Sequence, residues 1–414
     1  MAVILMDPWR LADWRPPGSS IAPCACPGIG RRFAPVAKPP QIVSRIAVMK
    51  NFYGSILFTL VCLLLAGGLA VWQGGGLELV GEFVFVAAVL GAMETSLSLD
   101  NAVVNASILK DMAPVWQRRF LTWGVLIAVF GMRIIFPILI VAVSALISPW
   151  EAARIAFVDQ IRYEAIVTGA HIGISGFGGA FLLLVGLSFF FDPNREHVWL
   201  SWIERPLAAF ARVPAAAYLV VAAVIVGLSF LLDGAPQRTF LIAGLSGGAT
   251  FFAVHRIGAL FGGDVDHATG AVVRTGLGGF IYLEFLDASF SFDGVIGAFA
   301  ITNDIVLIAL GLGIGAMFVR SMTVALVHGG HLAEFRYLEH GAFYAILALA
   351  TIMLLSIRVE TPEIVTGLIG AAFIALSLYA SVRHRRRHPD DYADNGVGEV
   401  VLPDGDCQPD TRTR

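Results

Sequence analysis

Charged residues are scarce in this chain, and their scarcity excludes a soluble globular protein. Asp, Glu, Lys and Arg make up 14% of its 414 residues, whereas hydrophobic residues make up 57%. Soluble domains carry about 25% charged and about 45–50% apolar residues. The mean hydropathy of +0.77 agrees with this difference. The composition therefore predicts an all-α polytopic membrane protein, whose main partner is the lipid bilayer, and it gives no indication of nucleic-acid binding.

Cysteine is also sparse, and its four positions form no metal or redox motif: Cys24, Cys26, Cys62 and Cys407. Because Cys24 and Cys26 lack Cys-x-x-Cys spacing and a second pair, we predict neither a zinc site nor a disulfide. None of the four resembles a catalytic nucleophile. The Gly-x-Gly-Asp sequence of intramembrane aspartyl proteases is also missing, since residues 261–264 do not fit it. We predict no enzyme activity and no cofactor.

Apolar runs follow one another from residue 49 to residue 382. At about 20 residues per crossing, they predict ten transmembrane helices, at 55–72, 81–108, 121–147, 177–191, 214–232, 239–260, 278–301, 304–327, 341–357 and 363–382. Basic residues precede the first run and follow the last. The positive-inside rule therefore places both termini in the cytoplasm and requires an even number of spans. We expect a bacterial-type cytoplasmic (inner) membrane protein.

The chain divides into three regions by composition. Residues 1–48 are rich in Pro and Arg, and we expect either a disordered tail or an extension upstream of a native start at Met49. Residues 49–382 form the predicted transmembrane domain. Residues 383–414, first basic and then acidic, are predicted to be a cytoplasmic tail.

Two near copies of one acidic motif lie inside apolar runs. The first is Glu94-Thr-Ser-Leu-Ser-Leu-Asp100-Asn101, and the second is Asp287-Ala-Ser-Phe-Ser-Phe-Asp293. The same offset of 193 residues separates the two first acids and the two second acids. A charged side chain at the bilayer centre costs roughly 2.5–3.5 kcal/mol, so four acids in matched positions indicate a functional site.

The two copies fall on the second and seventh predicted spans, which cross the membrane in opposite directions. A span with an arginine, Arg133 or Arg320, follows each copy. The repeat halves therefore lie near 81–147 and 278–327. Inverted-topology repeats of this kind bind their substrate between the repeats, near the membrane midplane.

A regular helix would not point both acids of one copy in the same direction. Asp100 lies about 120° from Glu94 around such a helix, and Asp293 lies roughly opposite Asp287. We therefore predict that both motif helices are discontinuous, with unwound backbone lining a cavity. The residues predicted to share a face are Glu94, Ser98, Asn101 and Asn105 in the first copy, and Glu284, Asp287 and Ser291 in the second.

Carboxylate, amide and hydroxyl oxygens in this pattern suit hard divalent cations such as Mg²⁺, Ca²⁺ and Mn²⁺, and the absence of His and Cys argues against zinc or copper. Because ligation requires deprotonated acids, exchange of metal for protons would follow. Counter-ion, interface-anchor and gating roles all stay open for the two arginines. The predicted metal-binding residues are Glu94, Asp100, Asn101, Glu284, Asp287 and Asp293, with Ser98, Asn105, Ser291, Arg133 and Arg320 in support.

The stretch from Glu94 to Val103 resembles the first acidic motif of the TerC-type membrane proteins, named for tellurium resistance, and residues 287–294 resemble the second. Residues 284–320 are more similar still to a sister group of unknown function in the wider LysE-like exporter superfamily. The resemblance covers roughly residues 50–380, and a longer loop at 148–176 and an additional pair of middle spans depart from it. It implies manganese efflux, or manganese supply to exported enzymes. It further implies cation-binding roles for Glu94, Asp100, Asn101, Asp287 and Asp293.

Three functions remain to be weighed. We expect a transporter that exports a divalent cation, with manganese as the best single candidate and protons as the exchanged ion. A non-transporting metal-binding partner or scaffold, which delivers metal to exported proteins, is the alternative. An intramembrane aspartyl hydrolase with Asp100 and Asp293 as its dyad is the third. The inverted duplication favours transport, and both a homo-oligomer and membrane partner proteins are compatible with it.

Overall fold

The computed structural model describes residues 41–388 except 125, 193–196, 211–214, 261–275, 300, 329–334 and 360, and it leaves out the side chains of 41–51, 209–210, 258–260, 292–293, 328 and 363–364. Within these limits every regular element is a helix. Two π-helical segments, Phe120–Gly124 and Ile127–Ile135, lie between α4 and α5. The α-helices are α1 (Gln41–Trp72), α2 (Leu77–Leu97), α3 (Leu99–Leu109), α4 (Pro114–Arg119), α5 (Phe136–Ser144), α6 (Pro149–Val158), α7 (Gln160–Gly169), α8 (His171–Phe190), α9 (Ser201–Phe210), α10 (Ala216–Ser229), α11 (Ala235–Leu260), α12 (Leu277–Phe299), α13 (Ile305–His328), α14 (Leu338–Leu355) and α15 (Glu363–Arg387).

Seven helical stretches in the described part of the chain are long and apolar enough to cross a bilayer, which confirms the predicted all-α polytopic membrane protein. The three other predicted spans are also helical, but α10 has only 14 residues, and acids interrupt the apolar sequences of α2–α3 and α12. The seven stretches are Phe52–Trp72, Ile127–Ser144, His171–Phe190, Ala235–Ile257, Ile305–Val327, Leu338–Leu355 and Val365–Arg387.

The first motif helix is interrupted at one residue, Ser98, which separates α2 from α3 with φ −99° and ψ 21°. Helical hydrogen bonding nevertheless continues, because the Ser98 amide donates to the Glu94 carbonyl at 3.0 Å and the Ala102 amide donates to the Ser98 carbonyl at 3.1 Å. The second motif helix, α12, runs through the second copy without a break. The predicted discontinuity is therefore a one-residue interruption in the first copy and is corrected to a continuous helix in the second. A continuous helix satisfies every backbone group internally, which the bilayer strongly favours.

The two motif helices run antiparallel to each other. Asn101 of α3 donates a hydrogen bond to Asp287 of α12. Glu94, seven residues earlier in the chain, lies beside Gly294, seven residues later, where an added Cβ would meet Glu94 Oε2 at 2.5 Å. Opposite directions for the two copies are what an inverted-topology repeat requires.

The arginine-bearing helices extend the same pattern. Arg320 Nε of α13 donates to the Leu121 carbonyl of the first π-helical segment at 2.7 Å, and seven residues before Arg320, Gly313 faces Val129 of the second segment. These two spans are therefore antiparallel as well. The matched pairs of helices lie near 81–147 and 278–327, and the assignment of these segments as repeat halves remains a prediction.

The segment 148–176 is folded rather than an open loop, which corrects the expectation of a long loop there. Ser148 Oγ caps α6 by accepting a hydrogen bond from the Glu151 amide at 3.2 Å. Asp159 Oδ1 caps α7 in the same way, from the Arg162 amide at 3.1 Å. Such side-chain acceptors satisfy the free amides of a helix's first turn. Buried Tyr163 of α7 then packs on Phe299 of α12.

Most of the predicted N-terminal segment, residues 1–40, and most of the predicted C-terminal tail, residues 389–414, lie outside the described residues. Helix α1 already begins at Gln41, inside the segment 1–48 that composition sets apart. Helix α15 continues to Arg387, five residues past the predicted end of the last span.

Helix α9 is attached to the bundle by a buried carboxylate. Glu204 is 2% exposed and accepts hydrogen bonds from the Leu200 amide at 3.1 Å and the Tyr344 hydroxyl at 3.2 Å. His340 Nε2 lies 3.5 Å from its other oxygen. This cluster is separate from the duplicated motif and joins α9 to α14.

Candidate cation site

A cavity of about 40 Å³ lies between the two motif helices and the two arginine-bearing spans. One ordered water needs roughly 10–15 Å³ by this measure, so the cavity has room for a few water molecules or one partly hydrated ion. Eight of the eleven predicted site residues line it: Glu94, Ser98, Asn101, Asn105, Arg133, Glu284, Asp287 and Arg320.

A hydrogen bond across the cavity joins the two repeats. The Asn101 side-chain amide donates to Asp287 Oδ1 at 2.8 Å, and Asn101 is 3% exposed. A hydrogen bond to a charged group contributes about 1.5–3 kcal/mol. One residue of each copy, Asn101 and Asp287, is therefore in direct contact across the cavity.

Glu94, in the first half, is held in a buried ion pair. Arg133 Nη2 donates to Glu94 Oε1, and both side chains are 3% exposed. Arg133 Nη1 also donates to the Ala128 carbonyl at 2.6 Å. Ser98 Oγ donates to the same Glu94 oxygen at 3.3 Å. Of the three roles left open for Arg133, the geometry assigns the counter-ion role.

Arg320, on the span that follows the second motif helix, also lines the cavity, but its bonding is different. Its described hydrogen bond goes to the backbone carbonyl of Leu121. No ion pair joins it to an acid within the described residues. The acids of its own half, Glu284 and Asp287, are thus left without a guanidinium partner in the part of the chain that the structure describes.

Three buried oxygen atoms of the cavity residues have no hydrogen-bond partner among the described residues. They are Oδ1 of Asn101, Oδ1 of Asn105 and Oε1 of Glu284. All three side chains are more than nine-tenths buried. Because an unsatisfied buried acceptor costs about 1–3 kcal/mol, water molecules or an ion in the cavity would complete their bonding.

Glycines make room for the two glutamates. A Cβ at Gly315 would overlap with the base of the Glu94 side chain, and a Cβ at Gly294 would meet its Oε2. In the other half, a Cβ at Gly124 would lie 2.7 Å from Glu284 Oε1. The glutamate of each half therefore lies against a glycine on the arginine-bearing span of the other half.

Asp100 lies apart from this cavity, as its angular position on the helix predicts. It is 4% exposed and lines a second cavity of about 50 Å³ with Gly294, Gly367 and Gly370. Its Oδ1 accepts a hydrogen bond from the Asn101 backbone amide at 2.9 Å. Glu94 and Ser98 line both cavities and separate them.

The other two predicted residues of the second copy do not join the first cavity's lining. Ser291 is 5% exposed, and its hydroxyl has no hydrogen-bond partner among the described residues. The backbone of Asp293 belongs to α12, but its side chain lies outside the described residues. Its predicted role as a metal ligand remains a prediction.

The acids do not form a ready-made metal cage. Among the described residues there is no group of three or more His, Cys, Asp or Glu side chains that could hold one metal ion. In this geometry, a cation in the cavity would be bound by at most two of the described carboxylates at a time, together with amide and hydroxyl oxygens.

The π-helical segments and Thr323 are contributions that the sequence reasoning missed. π-Helical turns are rare and occur frequently at functional sites, and here they carry Gly124 and Arg133. Thr323, 1% exposed, lines the cavity and donates to the Val319 carbonyl at 2.9 Å. No residue pattern identifies a π-helix, and 44 glycines in the chain hide the few that touch the acids.

Residues 99–388, well over half of the chain, match the family described as "Protein of unknown function (DUF475)". The match contains the whole second copy and begins after the interruption at Ser98, so Glu94 lies outside it. No curated protein and no solved structure matches the chain. The match carries no TerC name, and the TerC-type resemblance remains a prediction.

Proposed function

The chain belongs to the DUF475 family of proteins of unknown function, and we propose that it is a membrane transporter that exports a divalent metal cation. The observation that carries this proposal is the cavity where polar residues of two antiparallel repeats meet and where Asn101 bonds Asp287 across them. Inverted repeats with a binding site between them are the architecture of many secondary transporters.

The chemistry of the cavity supports a hard cation as the transported substrate. The described residues of its lining offer carboxylate, amide and hydroxyl oxygens and include no His or Cys. Oxygen ligands suit Mg²⁺, Ca²⁺ and Mn²⁺. The resemblance of the acidic motifs to TerC-type proteins makes manganese the best single candidate. An inner-membrane location with cytoplasmic termini, and exchange against protons, belong to the same proposal.

A non-transporting metal-binding partner or scaffold is the second candidate, and the Glu94–Arg133 ion pair favours it. A buried ion pair that joins α2 to the second π-helical segment can hold two spans together without binding any substrate. The same cavity would then bind metal for delivery to an exported protein.

Transport and scaffolding differ in whether metal crosses the membrane. We expect purified protein in proteoliposomes to carry Mn²⁺, with Mg²⁺ and Ca²⁺ as comparison ions, and we expect Asp287→Asn and Glu284→Gln to abolish the flux. Glu339→Gln is the matched control, because this acid pairs with Lys110 at the surface, away from the cavity.

The outcomes separate the two functions. Flux that both cavity variants abolish and Glu339→Gln retains supports transport through this cavity. Saturable Mn²⁺ binding by the wild type without flux above empty vesicles contradicts transport and favours the scaffold. Flux that survives both cavity substitutions would place the pathway elsewhere.

A further inference from the structure

The two arginines of the cavity differ in what they bind, although each lies on the span that follows the motif helix of its half. Arg133 donates to the carboxylate of Glu94, whereas Arg320 donates to a backbone carbonyl. Among the described acids of the cavity, therefore, only Glu94 is bonded to a guanidinium. Any cation that uses Glu94 as a ligand must compete with Arg133 for it.

The bonding around Glu94 leaves little capacity for a second cation while Arg133 is in place. One oxygen, Oε1, accepts from both Arg133 and Ser98. The other, Oε2, faces Gly294. The pair is almost fully excluded from water, so electrostatic interactions there are strong.

We propose that Arg133 is a tethered competitor of the transported cation for Glu94, and that it makes the site select divalent over monovalent cations. This inference rests on the proposed function, since it concerns the same cavity. It assigns Arg133 a positioning and selectivity role that the charge balance of the cavity explains.

Formal charges show why a divalent ion would succeed where a monovalent ion would not. A bound metal ion requires ionised acids; with Glu94, Glu284 and Asp287 ionised and both arginines present, the lining has a net charge of −1. With Arg133 withdrawn from the cavity, the remaining charge is −2, which one divalent cation neutralises. A monovalent cation in place of the guanidinium would leave the net charge of the cavity unchanged, and the hydrogen bond that Arg133 donates to Glu94 would be lost.

Arg133 is suited to leave Glu94 because its guanidinium is incompletely bonded. Its Nε is buried without a hydrogen-bond partner among the described residues. Its second contact is to Ala128, five residues earlier in the same π-helical segment. The side chain can therefore withdraw from Glu94 without breaking a bond to any other described helix.

The test measures Mn²⁺ binding to purified full-length protein by calorimetric titration, with and without Na⁺. We expect Na⁺ to have little effect on the wild type. In Arg133→Gln, we expect Mn²⁺ to bind about ten-fold tighter or more without Na⁺, since a nearby like charge is gone. Na⁺ should then compete with Mn²⁺. Arg133→Lys keeps the charge and should restore resistance to Na⁺.

Two further variants control for folding and for general charge effects. Arg320→Gln removes a positive charge from the same cavity without freeing a carboxylate, so Na⁺ should still not compete. Glu94→Gln/Arg133→Gln removes both members of the pair, which avoids an unpaired buried carboxylate, and should lose the Na⁺ sensitivity that Arg133→Gln gains.

The failures of the two proposals are distinguishable. If the wild type binds Mn²⁺ and Arg133→Gln shows the same affinity and the same indifference to Na⁺, the selectivity role is refuted while the transporter survives. Na⁺ competition that appears equally in Arg320→Gln refutes it too. If the wild type binds no divalent cation, the proposed function fails and the selectivity role fails with it.

Discussion

Replacing Gly315 by alanine tests whether α13 is shaped to accommodate the Glu94 side chain. A Cβ at this position would overlap with Cβ and Cγ of Glu94 and would lie 3.1 Å from the Thr95 amide nitrogen. The overlapping atoms belong to the base of the side chain, so rotating its far end does not relieve the contact. Since carbon atoms normally approach to about 3.5–4.0 Å, α2 and α13 would have to separate by roughly 1 Å.

Gly313 on the same helix provides the matched control. A Cβ there would meet Val129 Cγ1 at 3.5 Å, which is an ordinary contact. Both substitutions gain the higher helix propensity of alanine, about 1 kcal/mol at most. Overpacking costs typically 1–3 kcal/mol. We therefore expect Gly315→Ala to have a free energy of unfolding about 1–3 kcal/mol below that of Gly313→Ala.

The assay is thermal or denaturant unfolding of both variants in one detergent, followed by Mn²⁺ titration. Gly315→Ala should melt at the lower temperature and bind Mn²⁺ more weakly, because Glu94 is displaced. Equal stability of the two variants would refute the close contact between α13 and Glu94. Lower stability with unchanged Mn²⁺ affinity would separate that contact from the cation site.

Four other substitutions distinguish binding from stability. Gly294→Ala would place a Cβ 2.5 Å from Oε2 at the far end of the Glu94 side chain, so we expect little change in melting temperature but about ten-fold weaker Mn²⁺ binding in a titration. Unchanged affinity would contradict this. Asn101→Ala breaks a hydrogen bond to a carboxylate and should lower the free energy of unfolding by about 1.5–3 kcal/mol. Asn105→Ala removes an oxygen that has no partner among the described residues and should lower it clearly less. Equal losses in denaturant unfolding would argue against the hydrogen bond between the repeats. Glu204→Ala removes the acceptor of the Leu200 amide and the Tyr344 hydroxyl and should destabilise the protein by about 1–3 kcal/mol, with Mn²⁺ affinity retained. A parallel loss of affinity would connect α9 to the site.

Helical periodicity was sufficient to place most of the first copy. The face predicted from a 3.6-residue repeat, with Glu94, Ser98, Asn101 and Asn105, is the face that lines the cavity. Asp100 lies on another side, as its angle requires. The antiparallel arrangement of the copies followed from counting spans, because consecutive spans alternate in direction.

Contacts between distant parts of the chain could not be read in this way. Arg133 and Glu94 are 39 residues apart, and their pairing depends on how two spans pack. Gly315 is one glycine of 44, and only the packed structure shows that it touches an acid. The predicted break in α12 is wrong, because backbone hydrogen bonding within a bilayer outweighs the orientation of one side chain.

Mn²⁺ uptake and internal pH, recorded together in proteoliposomes for the wild type and Asp287→Asn, test the central claim most directly. We expect the wild type to move Mn²⁺ with a matching opposite movement of protons, and Asp287→Asn to show neither. Mn²⁺ flux that persists undiminished in Asp287→Asn, or wild-type vesicles that take up no more Mn²⁺ than empty ones, would contradict a transport site between the two repeats.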